Sequence, residues 1–164
     1  MKIEQLTIDD LQRIYDYYLS GNYKLIFRQF PDNLPILEFK RVLDSFGGMI
    51  KIIDEDKILG YAICPFYGKP KQMLLSVMVP QKHQKKGNAL KIMLFLTQIA
   101  FNEYMANRVL CFTVDDDNRT NELLEKGGFV KEGVLLESAF YDSMFHNEIR
   151  WSINKPKYIE LYGG

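Results

Sequence analysis

Apolar residues in this chain form short runs typical of strands, separated by longer stretches with helical spacing. The runs rich in Ile, Val and aromatic residues predict strands at 2–6, 48–53, 58–66, 73–79, 108–114, 129–140 and 147–153. Apolar positions at helical spacing predict helices at 9–20, 36–46, 90–105 and 118–126, with Asp9 as the first N-cap. This order of elements predicts a single α/β unit.

The last residues of the chain do not fit this pattern. The segment 154–164 (N-K-P-K-Y-I-E-L-Y-G-G) follows the last predicted strand and continues neither a strand nor a helix. We therefore predict one domain over 1–153 and a mobile C-terminal tail over 154–164.

Composition and charge exclude several classes of protein. The 164 residues are enough for one domain, and 21 basic residues balance 21 acidic ones, so no overall positive field favours nucleic acid. No apolar run of about 18 residues predicts a membrane span, and the N-terminus does not resemble a signal peptide. Cys64 and Cys111 lie in apolar strand candidates without metal-ligand spacing. We predict reduced thiols, no metal, a cytoplasmic location, and a monomer or homodimer.

The most informative segment is the loop Q-K-K-G-N-A at 84–89, between the strand 73–79 and the following helix. A basic loop that leads from a strand into a helix presents free N–H groups and the positive end of the helix dipole, which favour phosphate or pyrophosphate. Gly87 lets a ligand lie against the backbone. The chain has neither a G-x-x-x-x-G-K-[ST] motif nor a G-x-G-x-x-G motif after a strand, which argues against a P-loop or a standard dinucleotide fold.

With its surroundings, this loop resembles a known family. The motifs are V-x-x-x-x-Q-K-K-G-N-A-L, an Asn after the next strand, and L-L-E-K-G-G-F-V-K-E-G, and the match runs over about 50–153. The chain is similar to the GNAT N-acetyltransferase superfamily, and closest to its branch of ribosomal-protein N-terminal acetyltransferases.

The resemblance implies the GNAT fold, an α/β (α+β) architecture with a mixed, mostly antiparallel sheet of about seven strands and about four helices. Its fourth and fifth strands splay apart into a cleft for the co-substrate acetyl-CoA. The backbone of the fourth strand would pair with the pantetheine arm, and the loop would hold the pyrophosphate. Carried over to this sequence, the acetyl-CoA-binding residues are Val77, Met78, Val79, Lys85, Lys86, Gly87, Asn88, Ala89, Leu90 and Asn118.

The position of the family Asn leaves two alternatives. In the family, this Asn and the Phe of the G-F pair stand one residue further apart than Asn118 and Phe129 do. Either the intervening helix is one residue shorter, or Asp117 takes the Asn position. We favour Asn118, because an amide both donates and accepts, whereas an ionised Asp117 repels a polyanionic cofactor.

The side chains that usually catalyse transfer in this family are missing. Ser76 stands where a carboxylate base is common, and Leu124 where a Tyr acid is common. A thiolate with a pKa near ~8.5 leaves without strong acid help, and an α-amine with a pKa near ~7.7–8.0 is partly neutral at pH 7, whereas a lysine-like amine near ~10.4 is not. The sequence thus leans toward an α-amine, or toward a base that acts through water. A backbone N–H at Met78 or Val79 would bind the oxyanion.

Substitute catalytic groups occur at the turn between the last two strands. They are Glu137, Tyr141, Asp142 and His146. We name Ser76 and Asp142 as the catalytic or substrate-binding candidates, with segment 21–46 covering the acceptor.

Three functions remain open. The first is acetyl transfer to a primary amine, either a protein N-terminus or a small molecule. The second is a degenerate GNAT domain that binds acetyl-CoA without turnover, and the third is the use of a different acyl-CoA.

Overall fold

The structure is a computed structural model, and it describes residues 1–21, 23–27, 30–67, 71–84 and 87–163. Its strands are β1 (Lys2–Gln5), β2 (Ile50–Asp54), β3 (Lys57–Ile63), β4 (Phe66–Tyr67), β5 (Gln72–Leu74), β6 (Ser76–Met78), β7 (Arg108–Val114), β8 (Val130–Tyr141) and β9 (Met144–Asn154). Its helices are α1 (Ile8–Leu19), α2 (Lys24–Phe27), α3 (Ile36–Ser45), α4 (Asn88–Asn102), α5 (Asn118–Lys126) and α6 (Lys155–Tyr162).

The strands form two sheets. The first has the order β1-β2-β3-β6, and all of its pairs are antiparallel. The second has the order β4-β5-β7-β9-β8, in which only the β5–β7 pair is parallel. The mixed, mostly antiparallel α/β architecture is confirmed.

Two hydrophobic clusters hold the helices against the sheets. In β3, Tyr61 packs into one cluster and Ala62 into the other, because successive side chains of a strand point to opposite faces. The first cluster includes Phe39 of α3 and Met78 of β6, and the second includes Phe101 of α4. Helices therefore cover both faces of the strands that carry the predicted cofactor residues.

Helix α1 begins earlier than the sequence predicted. The N-cap is Thr7 rather than Asp9, and it forms a capping box with Asp10. The Thr7 Oγ1 accepts a hydrogen bond from the Asp10 amide, and the Asp10 carboxylate accepts one from the Thr7 amide. Asp9 lies inside the first turn, where a negative charge complements the helix dipole.

The C-terminal segment is not the unplaced tail that the sequence suggested. Asn154 caps α6 by accepting a hydrogen bond from the Lys157 amide at 2.9 Å, and Lys155 Nζ donates to the Phe101 carbonyl at 3.1 Å. The Tyr158 ring lies 5.3 Å from the Phe101 ring, so α6 contacts the core. The boundary between domain and tail stays a prediction.

None of the helices in the described ranges has the length and apolar character that crossing a bilayer requires.

Candidate functional site

The strand predicted at 73–79 divides between the two sheets at Leu75. Its first part, β5, pairs in parallel with β7, and the Leu75 amide still donates to the Leu110 carbonyl at 2.8 Å. Its second part, β6, pairs with β3 instead, with Met78 opposite Tyr61. Because β6 turns away while β7 continues to Val114, a wedge opens between them. This confirms the predicted splay of the fourth and fifth strands.

A cavity of about 640 Å³ occupies this wedge. Ser76, Val77 and Val79 line one wall, and Cys111, Phe112 and Thr113 of β7 line the facing wall. The predicted Met78 is fully buried in the other cluster, so its side chain faces away from the cavity.

The N-terminus of α4 closes one end of the cavity. Gly87, Asn88 and Ala89 line it, whereas Leu90, which is half-buried, does not belong to the lining. Gly87 precedes the helix with φ +72°, it provides no side-chain cap, and a Cβ built there would meet nothing within 4 Å. The first N–H groups of a helix lack partners within it, so this end can bind an anion. The predicted Lys85 and Lys86 lie outside the described residues.

The opposite wall of the cavity comes from α5, at whose start the two candidates for the family Asn position lie. Asp117 lines the cavity and caps α5, since its Oδ1 accepts from the Thr120 amide at 3.1 Å. Asn118 is the first residue of the helix, is exposed, and lies outside the lining. Of the two candidates, Asp117 therefore lies nearer the cavity, and the contact of Asn118 with the cofactor stays a prediction.

The segment 21–46, which we call the acceptor-side segment because the family resemblance places it beside the acceptor, reaches the cavity through Tyr23. Its hydroxyl donates to the Val79 carbonyl at 2.6 Å, and Gln84 Nε2 donates to the same carbonyl at 3.0 Å. Burial raises the pKa of Tyr23, while a hydrogen bond from Gln84 lowers it less, so the phenol stays protonated at neutral pH. Leu25 and Ile26 of α2 extend this wall.

Several of these residues were missed from the sequence. Arg119, Thr120, Leu123 and Lys126 lie along α5 and line the cavity. Arg119, Leu123 and Lys126 recur at helical spacing, which was a readable signal for one shared face. Tyr23 belongs to the segment 21–46 that was expected to cover the acceptor, but its bond to Val79 could not be read from the sequence, because the two residues are far apart in it.

The two catalytic candidates are not brought together around the cavity. Ser76 lines it, opposite Ile63 in the β3–β6 pairing. Asp142 is exposed in the β8–β9 turn with φ +53°, and none of Glu137, Tyr141, Asp142 and His146 is among the described residues that line the cavity.

Tyr141 and His146 instead form a local structure at that turn. Their rings stack with centroids 3.9 Å apart, and His146 Nδ1 lies 4.0 Å from Asp116 Oδ2. Partial burial, reinforced by Asp116 and the neighbouring carboxylates, raises the pKa of Tyr141. The arrangement is that of a packed hairpin end.

The cysteine in the cavity wall is not an activated nucleophile. Cys111 is buried, and burial raises the pKa of its thiol well above the ordinary range. Both Cys64 and Cys111 are free thiols, as the sequence predicted, although Cys64 is only half-buried.

Comparison with known proteins identifies the fold and the family. Residues 11–129 match the acetyltransferase (GNAT) family. The spermidine N-acetyltransferase from Vibrio cholerae in complex with CoA and spermine is 17% identical with a TM-score of 0.81, over 96% of this chain and 97% of that one. A spermidine/spermine N-acetyltransferase from the same organism in complex with manganese ions is 17% identical with a TM-score of 0.80, over 98% and 96%. No curated protein matches.

The chain belongs to the acetyltransferase (GNAT) family, because the match covers most of its length. It is an acetyl-CoA-dependent N-acetyltransferase with acetyl-CoA as co-substrate. The closer likeness to ribosomal-protein N-terminal acetyltransferases stays a prediction.

Proposed function

We propose that this protein transfers the acetyl group of acetyl-CoA to a primary amine of a small molecule. The observation that carries the proposal is the wedge between β6 and β7, whose cavity is lined both by the start of α4 and by Tyr23 of the acceptor-side segment. The similarity to spermidine and spermine N-acetyltransferases supports a small-molecule amine over a protein N-terminus.

The residues of the wedge fit acetyl-CoA. The open surface at Gly87 and the uncapped start of α4 suit a pyrophosphate. On the facing wall, Arg119 is a cation, whereas Lys126 is paired with Glu122 at 3.5 Å. The side of β6 that faces away from β3 offers backbone groups to an amide-containing arm. We assign this side at Val77 and Val79 to the pantetheine, and Gly87, Asn88 and Ala89 to the pyrophosphate.

The chemistry requires little from side chains. Acetyl-CoA supplies a thioester, and the neutral amine attacks its carbonyl carbon: the C–N bond forms, the C–S bond breaks, and CoA leaves as the thiolate. A backbone N–H near Met78 or Val79 stabilises the oxyanion. Attack leaves an ammonium on the tetrahedral adduct, and its proton passes through water to the departing thiolate or to bulk solvent; the hydroxyl of Ser76, the polar side chain of β6, can orient that water but is not itself the base.

The experiment is an acceptor panel with acetyl-CoA. Spermidine, spermine, a short diamine, free lysine and a peptide with a free N-terminus are each incubated with the protein. CoA release is followed with a thiol reagent, and the acetylated product is identified by mass spectrometry. We expect the small amines to be acetylated and the peptide to be a poor acceptor.

A matched pair of variants controls for background hydrolysis. Gly87→Asp should lose turnover with every amine, while Leu37→Ser, which changes an exposed residue of α3, should keep it. Preference for the peptide would reject the small-molecule acceptor. Tight CoA binding without turnover on any amine would support the degenerate domain, and faster turnover with a longer acyl-CoA would correct the donor.

A further inference from the structure

Helix α2 lies across the wedge between β6 and β7. It contacts β6 on one side and β8 on the other, and β7 and β9 separate β8 from β6. Phe27 of α2 is buried in the same cluster as Met78 of β6. The helix therefore covers the face of the strands on which the Met78 side chain lies. We call the part of the cavity between α2 and this face the acceptor end.

The acceptor end is built mainly from apolar side chains. Ser76 lies on the same face of β6 as Met78, because side chains two residues apart in a strand point the same way. In β7, Cys111 belongs to the cluster on the opposite face, so its neighbour Phe112 points to the face that α2 covers. The described residues that line this end are Tyr23, Leu25, Ile26, Ser76 and Phe112.

The polar groups of the acceptor end carry no negative charge. The Tyr23 hydroxyl already donates to the Val79 carbonyl at 2.6 Å. Ser76 is the other polar side chain among the described residues of this end, and its hydroxyl is neutral. In the sequence, residues 21–31 include a Lys and an Arg but no Asp or Glu. An acceptor beneath α2 therefore meets no carboxylate from the segment that covers it.

The carboxylates of the described cavity lining lie on α5 instead, and both are engaged. Asp117 accepts a hydrogen bond from the Thr120 amide at 3.1 Å, and Glu122 pairs with Lys126 at 3.5 Å. Helix α5 packs through Leu124 into the cluster on the opposite face from α2. Neither carboxylate therefore belongs to the acceptor end.

A further carboxylate, that of Glu148, lies on the face that α2 covers but outside the cavity lining. Ile149 and Trp151 of β9 pack into the cluster on the α5 side, so Glu148 points to the opposite face. It is 4% exposed, and its Oε2 accepts a hydrogen bond from the Ser138 hydroxyl at 2.8 Å. It is not among the described residues that line the cavity. An ammonium reaches it only by leaving water and entering packed structure, which is costly.

This environment selects against acceptors with several charges. The amine attacks in its neutral form, so the reacting nitrogen brings no charge into the acceptor end at that step. Spermidine and spermine carry further ammonium groups, each of which would lose water among apolar side chains without a carboxylate in place. An apolar body instead gains from burial, by up to about fourfold in affinity for each methylene group.

We propose that the acceptor is a primary amine with a single positive charge and an apolar body, rather than a polyamine. The body lies between Leu25 of α2 and Phe112 of β7, and the amine points toward Ser76. This proposal rests on the proposed function, since it names the class of small molecule that the same site acetylates. It also separates the acceptor of this chain from the polyamines named for the proteins of similar fold.

The test compares phenethylamine, spermidine and the straight-chain alkylamines from ethylamine to hexylamine as acceptors with acetyl-CoA. The measured quantity is kcat/KM at one pH, corrected for the neutral fraction of each amine, with CoA release followed by a thiol reagent. We expect kcat/KM for phenethylamine to exceed that for spermidine at least tenfold. Along the alkylamine series it should rise by up to about fourfold for each methylene group until the acceptor end is filled.

The substitution Leu25→Glu tests the wall of the acceptor end. The added carboxylate should lower kcat/KM for phenethylamine and raise it for spermidine, so that their ratio changes at least tenfold. Leu25→Gln has the same size without the charge, and it should lower kcat/KM for phenethylamine without raising it for spermidine. Leu37→Glu makes the same change at an exposed residue of α3 and should leave the ratio as in the wild type. CoA binding by each variant shows that the fold is retained.

The outcomes distinguish this proposal from the proposed function. Acetylation of spermidine as fast as phenethylamine, or a flat alkylamine series, would overturn the apolar acceptor and leave acetyl transfer to a small amine in place. A Leu25→Glu variant that binds CoA and keeps the ratio of the wild type would also overturn it. The absence of acetylation with every amine would reject the proposed function, and this proposal with it. The alkylamine series on the wild type decides the matter even where a variant fails to bind CoA.

Discussion

The Tyr23 hydroxyl donates a hydrogen bond to the Val79 carbonyl at 2.6 Å, which joins the acceptor-side segment to the residue that follows β6. Gln84 Nε2 shares that carbonyl at 3.0 Å. If the backbone at Val79 pairs with pantetheine, the cofactor and Tyr23 compete for one acceptor. The two substrate sites are then connected through a single hydrogen bond.

Tyr23→Phe should therefore tighten CoA binding by about 2–10-fold, the equivalent of one net hydrogen bond of about 0.5–1.5 kcal/mol. The change also frees the acceptor-side segment, so KM for the amine should rise. Isothermal titration calorimetry and steady-state kinetics measure the two effects. Tyr15→Phe is the control, because it deletes a comparable bond to the Leu34 carbonyl at 2.7 Å away from the cavity. Weaker CoA binding by Tyr23→Phe would instead make the hydroxyl a part of the cofactor site.

Gly87→Asp should weaken CoA binding at least tenfold, about 1.4 kcal/mol, because it brings a negative charge to the proposed pyrophosphate site. The variant Gly87→Asn shows whether a loss of CoA affinity comes from the added charge or from a changed backbone conformation. Asn has a similar size, and both residues tolerate the positive φ of +72° at this position. The calorimetric affinity of the Asn variant should lie near that of the wild type. Equal losses in the two variants would assign the effect to the backbone.

The sequence predicted most elements of this fold, because strands and helices depend on local patterns of apolar residues. Strand β7 and helix α5 have the predicted bounds. The division at Leu75 could not be read in the same way. The run 73–79 is uniformly apolar apart from Ser76, and only the choice of neighbour, β7 or β3, decides where it splits.

Functional positions were predicted less well where a shift of one residue in the start of a helix changes which side chain faces the cavity. Asp117 and Asn118 are both good capping residues, and their sequence does not tell which one starts the helix. Helix α6 was missed because its stability comes from contacts such as that between Tyr158 and Phe101 rather than from amphipathic spacing.

The position of Asp117 reverses the expected order of two substitutions. Asp117→Asn keeps the cap of α5 and removes a negative charge from the cavity wall, so CoA binding should tighten modestly. Asn118→Ala should change CoA affinity little, since Asn118 is exposed outside the lining. Calorimetry on both variants decides between the alignments. A larger loss with Asn118→Ala would return the contact to the amide that the sequence favoured.

Removing one charge from the buried Asp10–Lys51 ion pair beneath α1 should destabilise the fold more than removing one charge from an exposed ion pair. Asp10 accepts hydrogen bonds from the Lys51 ammonium at 3.0 Å and from the Thr7 hydroxyl at 2.8 Å, and its side chain is 1% exposed. Lys51→Met leaves this carboxylate without its main counter-charge and should lower the midpoint of thermal unfolding by about 5–10 °C. Lys40→Met breaks the exposed pair with Asp44 and should have little effect. Similar shifts of the midpoint for both variants would show that the buried pair contributes no more stability than the exposed pair.

The same carboxylate gives stability a defined dependence on pH. Burial raises the pKa of Asp10, but hydrogen bonds from Thr7 and Lys51 outweigh it and hold the pKa below its ordinary value. Because the pKa of Asp10 is lower in the folded state, the ionised carboxylate stabilises the fold at pH values above its pKa in the unfolded chain, near ~3.9. This stabilisation is lost as the pH falls through the pKa of the folded state. Urea unfolding between about pH 2 and 6 should show a loss at the acid end that is smaller in Asp10→Asn. Parallel curves would remove Asp10 as a source of acid sensitivity.

The two catalytic candidates should differ in which kinetic parameter they affect. Ser76 lines the cavity, but a hydroxyl does not accept a proton at neutral pH, so Ser76→Ala should retain most of kcat.

Asp142 lies in the β8–β9 turn outside the lining, so it can meet only an amine long enough to extend beyond the cavity. Asp142→Asn should therefore raise KM for spermine, leave KM for a short diamine unchanged, and keep kcat, because the carboxylate positions a distant ammonium. The measurement is kcat and KM for both amines across about pH 6–9, where a dedicated base would appear as an acid limb in kcat. Abolished kcat in Ser76→Ala would place its hydroxyl in an essential proton relay, and equal KM changes for long and short amines would contradict a distant contact at Asp142.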